Sequence, residues 1–190
     1  MCARHEIDVG VLVEAAAIAR SHNPAVFELP PGDVAPSAPA AVAAAHRGGI
    51  HLGIMRWGLP RYDGKGLIIN TRSETALEKP MFRESTLRRR CAIPARSFCE
   101  WDRRKQKVTF SLPEMPVLWM AGIYDEEYRY SVLTTGANDS VSRFHDRMPL
   151  LLTREELGPW LLDDEATEAL LHRSMPALAY RQEDEQMALY

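Results

Sequence analysis

The second residue of the chain is a cysteine, and this position allows a chemistry that an internal cysteine lacks. Removal of Met1 would leave Cys2 with a free α-amine beside its thiol. The reference pKa values of these groups are about 8 and about 8.5, so both are partly nucleophilic near neutral pH. Together they can capture an aldehyde, first as an imine and then as a five-membered thiazolidine ring. The sequence therefore predicts attack on an aldehyde or another carbonyl; the alternative is an inert Cys2.

Three polar residues elsewhere in the chain could assist such a reaction. Glu100 lies in an apolar run, where desolvation would raise its pKa and let it act as an acid near neutral pH. His145 has the side chain best suited to moving protons at that pH. Asn70 follows an apolar run and could orient a substrate oxygen. Each has a structural alternative: the glutamate pairs with an arginine, the histidine is structural beside the acid that follows it, and the amide completes a turn.

Length and composition are typical of one folded domain of 190 residues, of which 46% are hydrophobic. No apolar run approaches the roughly 20 residues that cross a bilayer, and the N-terminus does not resemble a signal peptide. We therefore expect a cytoplasmic monomer that does not bind membranes. The three cysteines show no CxxC spacing, so we expect no disulfide, metal or cofactor. Cys91 and Cys99 are predicted to be buried small side chains.

The net charge of −3 conceals a strongly basic stretch. From Arg83 to Lys107, nine basic and three acidic residues give a local net charge of +6. A basic surface on an otherwise acidic chain suits a polyanion such as nucleic acid. The alternative, a solvated charged surface without a ligand, stays open.

The pattern of apolar residues predicts many short strands with helices at the ends and edges, which indicates an α+β fold. Asp8 is expected to cap the first helix, and Arg47-Gly48-Gly49 is expected to form a hairpin turn. The predicted helices cover residues 9–20, part of 75–90 with a break near Pro80, 140–145, a segment that begins at residue 153, and 165–172. We place the domain at residues 1–172 and a polar C-terminal tail at 173–190.

Short motifs also follow one another along the chain in an order that is known from one family. They are Met1-Cys2-Ala3-Arg4, Arg56-Trp57-Gly58-Leu59, Asn70-Thr71-Arg72-Ser73-Glu74-Thr75, Arg89-Arg90-Cys91-Ala92-Ile93-Pro94, Glu100-Trp101, Ala121-Gly122-Ile123, the segment from Thr134 to Asn138, and His145-Asp146-Arg147-Met148-Pro149. From Cys2 to about Leu152 the chain resembles the SRAP family, the SOS-response-associated peptidases or abasic-site-processing proteins. The resemblance implies a single β-rich α+β domain with a mixed, mostly antiparallel, barrel-like sheet flanked by helices.

The resemblance also implies a function in the DNA damage response. The chain would recognise abasic sites in single-stranded DNA and form a thiazolidine crosslink through Cys2 after Met1 is removed. Glu100 would assist opening of the sugar ring and orient the imine, and His145 would transfer a proton at the sugar hydroxyl. Asn70 would hold the cysteine or the sugar. The family name further implies a peptidase activity, for which removal of Met1 is the relevant cut.

The same resemblance assigns DNA contacts to five residues. Arg4, Arg72 and Arg147 would bind phosphates, because a guanidinium offers fixed charge and paired donors. Trp57 and Trp101 would stack on the neighbouring bases or wedge them apart, an interaction worth roughly 1–3 kcal/mol per base.

The chain departs from the family pattern at Ala3, Thr71 and Cys99, and in a shorter segment after Leu59. Two functions from other classes therefore stay open. One is a hydrolase of peptide bonds that uses Cys2 as an N-terminal nucleophile. The other is a non-covalent module for single-stranded nucleic acid, in which Cys2 is inert.

Overall fold

The computed structural model describes residues 3–20, 23–113 and 115–182. Within these ranges the helices are short and the strands dominate. The helices are α1 (Val9–Ala19), α2 (Pro80–Arg88), α3 (Leu157–Leu162) and α4 (Thr167–Leu171), with 3-10 turns at Pro24–Glu28 and Ser73–Thr75. The strands are β1 (Arg4–Ile7), β2 (Gly32–Val34), β3 (Pro39–His46), β4 (Gly49–Trp57), β5 (Leu59–Pro60), β6 (Leu67–Ile68), β7 (Asn70–Arg72), β8 (Arg90–Ala95), β9 (Ser97–Trp101), β10 (Lys107–Ser111), β11 (Leu118–Tyr124), β12 (Arg129–Gly136), β13 (Arg147–Pro149), β14 (Leu151–Leu152) and β15 (Ala179–Gln182).

The larger sheet closes on itself. Its strand order is β13-β12-β4-β3-β8-β11-β14, with β7 added beside β12. Because β12 also pairs with β11, the path β12-β4-β3-β8-β11 returns to its start and forms a small barrel. The pairings of β12 with β4 and β7 are parallel, and the other pairings described in this sheet are antiparallel. This confirms the predicted α+β fold with a mixed, mostly antiparallel, barrel-like sheet.

A second sheet has the order β15-β10-β9-β1-β2 and antiparallel pairings among the described strands. The chain passes from the barrel to this sheet at Arg96, which separates β8 from β9. The Arg96 guanidinium pairs with Asp8 at 2.9 Å and so ties this corner to the start of α1. Cys91 and Cys99 lie on either side of the corner, and both are buried as predicted.

Small side chains bring the barrel strands close together. Ala40 to Ala44 on β3 are buried between β4 and β8. On β11, a Cβ at Gly122 would lie 2.7 Å from Cδ1 of Ile93 and 3.0 Å from Sγ of Cys91. A side chain at this position would force Ile93 and Cys91 to shift, so packing favours the glycine of the Ala121-Gly122-Ile123 motif.

Several local predictions are confirmed because local chemistry decides them. Asp8 caps α1, and its carboxylate accepts the N–H of Val11 at 2.8 Å. Arg47 and Gly48 both have positive φ angles, as a two-residue hairpin between β3 and β4 requires. Pro80 is the first residue of α2, where its missing N–H costs nothing. None of the helices in the described part of the chain is long and apolar enough to cross a membrane.

Two local predictions need correction. Residues 140–145 do not form a helix but a series of turns. The side chain of Asn138 holds these turns, because its Oδ1 accepts from the Ser140 hydroxyl at 2.6 Å while its Nδ2 donates to the Pro176 carbonyl at 2.7 Å. Residues 173–182, predicted to belong to a polar tail, are instead packed on the domain, and β15 pairs with β10. Residues 183–190 lie outside the described residues.

Candidate active site

Glu100 is a nearly fully buried acid on β9, in the middle of the second sheet. It is 2% exposed and lies opposite Val108 of β10. Burial raises the pKa of the Glu100 carboxyl, and the nearby charge of His145 partly opposes this rise. The two groups are therefore close enough to interact electrostatically, as a catalytic pair requires. A carboxyl with a raised pKa keeps its proton closer to neutral pH and can act as an acid there.

His145 lies in the loop between β12 and β13, and its Nδ1 has partners for both protonation states. When the ring is neutral, Nδ1 accepts the backbone N–H of Arg147 at 3.0 Å. When the ring is protonated, Nδ1–H can donate to the Asp146 carboxylate at 3.1 Å or to the Arg147 carbonyl at 3.2 Å. The ring can thus gain and lose a proton without leaving Nδ1 unpaired, which suits a proton-transfer group.

Asn70 and Arg72 share one face of β7. Because side chains alternate along a strand, Thr71 lies on the other face, where its hydroxyl is 2.9 Å from that of Ser131. Thr71 is one of the departures from the family pattern, and Ser131 on β12 satisfies its buried hydroxyl. Arg72 is exposed and Asn70 is half-buried. The structure therefore places the predicted amide and one predicted phosphate ligand side by side.

Arg147 is engaged in an ion pair. Its guanidinium donates two hydrogen bonds to the Glu74 carboxylate, at 2.6 and 2.8 Å, and a third to the Thr134 carbonyl at 2.5 Å. The hydrogen bonds from Arg147 lower the pKa of Glu74, although burial of Glu74 opposes them. This ion pair links the 3-10 turn at Ser73–Thr75, which follows β7, to β13, which begins at Arg147. The phosphate contact predicted for Arg147 stays a prediction, in which phosphate would have to displace Glu74.

Trp57 is a core residue, so the prediction that it stacks on a DNA base is wrong. The side chain is fully buried, and its Nε1 donates to the Ile69 carbonyl at 2.9 Å. Its ring stacks on Tyr130, with centroids 6.0 Å apart, and contacts His5 at 5.2 Å. A base could reach this ring only if the barrel opened. Trp57 instead lies between β1, which it contacts through His5, and Ile69, the residue before Asn70. It therefore packs the second sheet against the barrel.

Trp101, the other tryptophan predicted to stack, is in a suitable place. It is half-buried at the end of β9 and lines an open cleft of about 320 Å³ together with His145. The loop from β9 to β10 and the turns before β13 form the walls of this cleft. The fold thus brings Trp101 and His145, which are far apart in sequence, to one surface.

The basic stretch does not form one continuous surface. Five of its members are in ion pairs: Arg88 and Arg90 with Asp164, Arg89 with Glu126, Arg96 with Asp8, and Lys107 with Asp33. Arg103, Arg104 and Lys105 form the loop between β9 and β10 and are exposed, and none of them has an ion pair within the described residues. Arg83, on α2, is also exposed and in none of these ion pairs, but the loop beside the cleft holds three of the four basic residues of the stretch that are not in them.

The N-terminus enters the fold next to Glu100. Arg4 is half-buried and pairs with Cys99 in the antiparallel ladder between β1 and β9. The chain before Arg4 therefore continues toward the Glu100 end of β9. Cys2 itself lies outside the described residues.

Sequence reasoning missed two features of this region. The Glu74 carboxylate is the partner of Arg147, and its place in the Asn70–Thr75 motif was the available signal. His5 is fully buried, and desolvation lowers its pKa to about 3 although the charge of Asp33 opposes the shift. Its Nε2 is 3.2 Å from the Tyr130 hydroxyl. His5 therefore remains neutral at physiological pH, and no sequence pattern indicated this.

Among the described residues, no group of three or more His, Cys, Asp or Glu side chains could hold a metal ion.

The comparisons with known proteins point to one family. The model of the family described as SOS response associated peptidase (SRAP) matches residues 1–190. The abasic site processing protein YoqW of Bacillus subtilis is 37% identical over 127 residues, which cover 58% of this chain and 57% of YoqW. The matched part thus spans little more than half of that relative. The abasic site processing protein YedK of Escherichia coli is 27% identical over 160 residues, covering 76% of this chain and 72% of YedK.

A solved structure supports the fold independently. A crystal structure of a protein from Bacteroides thetaiotaomicron superposes with a TM-score of 0.81 at 21% identity, covering 97% of this chain and 93% of that one. At this identity the likeness shows the architecture alone. Together with the match of the family model over the whole length, it leads to one conclusion: the chain belongs to the SOS response associated peptidase (SRAP) family.

Proposed function

We propose that this protein processes abasic sites in single-stranded DNA by forming a thiazolidine crosslink through Cys2. One observation carries the proposal: a buried glutamate with a raised pKa, Glu100, interacts with His145 at the point where the N-terminal strand enters the sheet. A buried carboxyl beside a histidine suits acid–base chemistry, because its raised pKa lets it hold a proton closer to neutral pH. The names of YoqW and YedK as abasic site processing proteins add support.

Covalent geometry keeps Cys2 near this pair. Two peptide units separate Cys2 from Arg4, so their Cα atoms lie within about 7.6 Å of each other in any conformation. Arg4 is paired with Cys99, the residue before Glu100. This bound supports the proposal that an amine and a thiol at position 2 reach a group held at Glu100.

The proposed reaction begins with the closed abasic sugar. His145 transfers a proton at the sugar hydroxyl, and Glu100 assists as the ring opens to the aldehyde. The α-amine of Cys2 then adds to the aldehyde carbon, and loss of one water gives an imine that Glu100 orients. The Cys2 thiolate adds to the imine carbon, the nitrogen takes up a proton, and the five-membered ring closes. Removal of Met1 must come first, because an amide nitrogen cannot form the imine.

The charges around the site suit a single strand of DNA. Arg4 lies opposite Cys99, the residue before Glu100, Arg72 lies opposite Thr134 on β12, and the loop from Arg103 to Lys105 borders the cleft that His145 lines. We propose that these side chains bind phosphates and that Trp101 stacks on a base. Arg147, held by Glu74, would mainly position the strand that follows His145.

A peptidase activity is the second candidate, favoured by the description of the family. It would use the same Cys2, Glu100 and His145, and removal of Met1 would be its simplest instance. It differs from the first proposal because it needs no aldehyde.

One experiment tests both. Protein that begins at Cys2 is incubated with single-stranded DNA that bears one abasic site, and the products are separated on a denaturing gel. A shifted band that is absent from Cys2→Ser and from protein that retains Met1 is the expected result. Binding without any band that survives denaturation would refute the crosslink. Cleavage of a peptide panel without that band would favour the peptidase.

A further inference from the structure

The cleft beside His145 contains, besides Trp101, a second stacking surface, the Arg143 guanidinium, which the proposed crosslinking reaction does not use. Its volume of about 320 Å³ is at the lower end of the range for small-molecule pockets, about 300–1,000 Å³. Trp101 borders it on the side of β9, and Arg143 and Phe144 border it on the opposite loop. His145 lies in its lining, so a group in the cleft would sit directly beside the proposed site of reaction.

Arg143 is fixed over two aromatic rings. Its guanidinium carbon lies 4.1 Å from the ring centroid of Tyr180 and 4.8 Å from that of Phe144. These rings contact each other with centroids 5.0 Å apart, and Phe144 also contacts the buried Phe110 at 5.7 Å. Arg143 is exposed and belongs to none of the ion pairs among the described residues. A planar cation is thus held in place by stacking, without a carboxylate to neutralise it.

The charges in the cleft favour a neutral ring over a phosphate. Arg103 and Arg143 line it, but so do the carboxylates of Asp102 and Asp146. The Asp146 side chain is 88% exposed and remains available as a hydrogen-bond acceptor. A phosphate in the cleft would meet two negative charges. A nucleobase carries no net charge, can stack on a guanidinium or an indole, and has donors for a carboxylate.

We propose that this cleft binds the unpaired nucleobase on one side of the abasic nucleotide, stacked against Arg143. The inference rests on the proposed function, because it assumes that the abasic sugar lies at Glu100 and His145. Tyr180 belongs to β15, within the residues that the sequence assigned to a tail. The C-terminal strand thereby helps to hold the base next to the lesion, because Tyr180 packs against Arg143.

The test measures equilibrium binding, so it does not depend on crosslinking. Single-stranded oligonucleotides carry a tetrahydrofuran abasic analogue, which has no aldehyde, and the neighbouring base is either present or also removed. Removing the base on one side should raise the Kd about 5- to 100-fold, which corresponds to the roughly 1–3 kcal/mol of a stacked base. Removing the base on the other side should have a much smaller effect.

Arg143→Lys is the decisive variant, because it keeps the charge and loses the planar stacking group. It should lose most of the dependence on the neighbouring base while the salt dependence of binding is unchanged. Arg154→Lys is the matched control, since Arg154 is exposed and pairs with Glu14 outside the cleft. Tyr180→Phe keeps the ring beneath Arg143 and should also behave as the unmodified protein does.

Two results would overturn the inference: a Kd that does not depend on the neighbouring base, or a base dependence that survives in Arg143→Lys. A parallel reaction with the aldehyde-bearing abasic site separates the two proposals. If the base dependence is found but no crosslink forms, the cleft binds a base and the proposed function is wrong.

Discussion

The basic stretch from Arg83 to Lys107 divides into two regions with opposite roles. The first region is residues 83–96, which contain β8 and the corner at Arg96, and the second is residues 97–107, which contain β9 and the loop to β10. In the first region, Arg90 is a buried cation that donates hydrogen bonds within the fold. Its acceptors are the carbonyls of Trp160, Leu87 and Thr86, at 2.6, 2.5 and 3.2 Å, and the carboxylate of Asp164, at 2.7 Å. In the second region, Glu100 is a buried acid whose pKa is raised by desolvation. Removing a buried charge on which several fixed groups depend destabilises the fold, whereas a buried acid with a shifted pKa beside a cleft marks a candidate site.

The largest effect that distinguishes the regions should be on stability. Arg90→Ala would leave the carbonyls of Thr86, Leu87 and Trp160 without their Arg90 donor. Among the described residues, Asp164 would keep only Arg88 as an ion-pair partner. We therefore expect a loss of about 3–5 kcal/mol in the free energy of unfolding. Arg88→Ala is the matched control, because Arg88 pairs with the same Asp164 but is 67% exposed. It should cost less than about 1 kcal/mol. Urea denaturation measures the free energy of unfolding of both variants. Equal losses would contradict the structural role assigned to Arg90.

Glu100→Gln should slow the reaction without a loss of stability, the reverse of what we expect for Arg90→Ala. Loss of the ionisable proton is expected to slow crosslinking about 100-fold or more, the usual contribution of a general acid or base. The variant should fold at least as well as the unmodified protein, since it removes a desolvated carboxyl. Single-turnover crosslinking measures the rate, and thermal unfolding measures the stability. An unchanged rate would place Glu100 with Arg90, among the structural charges.

The exposed loop should affect DNA binding alone. Replacing Arg103, Arg104 and Lys105 by glutamine removes three positive charges that have no ion pair within the described residues. The slope of log K against log salt should become shallower by about 2, at about 0.7 for each lost phosphate contact. Arg88→Gln with Arg89→Gln is the control from the structural region and should leave the slope unchanged. A slope that responds only to the control pair would reverse the assignment of the two regions.

The smallest expected effect is a dependence of stability on pH. Because the Glu100 pKa is higher in the folded protein than in the unfolded chain, its contribution to stability is complete below the ordinary carboxyl pKa and is lost as pH rises through the raised value. Glu100→Gln cannot titrate. As pH rises from the ordinary carboxyl pKa through the raised pKa of Glu100, the Tm of the unmodified protein should therefore fall relative to that of Glu100→Gln. Above this interval the difference in Tm should be constant. A difference that is constant with pH would contradict a raised pKa.

The local features of the fold could be predicted because each depends on a few neighbouring residues. Asp8 caps a helix, Arg47-Gly48 turns a hairpin and Pro80 starts a helix through backbone geometry that sequence neighbours decide. The turns at 140–145 could not be predicted, because Asn138 holds them through contacts with residues 175 and 176. The pairing of β15 with β10 is equally non-local.

The candidate site shows the same limit. The types of Glu100 and His145 indicated acid–base chemistry, and burial gave the correct direction for the Glu100 pKa. Trp57 was assigned to DNA because a tryptophan beside a glycine has the same sequence signature whether it packs inside a barrel or lies at a surface. The closure of the barrel between β11 and β12, which no single stretch encodes, places it inside.

The sequence by itself determined the family, the fold class, the local caps and turns, and the residue types available for chemistry, because these follow from motifs and short-range patterns. The tertiary structure alone decided which charges are used up in ion pairs, that Trp57 is inaccessible, and that Trp101, Arg143 and His145 share one cleft. The physical reason is that burial and pairing are properties of residues brought together across the fold. Their energies depend on neighbours that are distant along the chain.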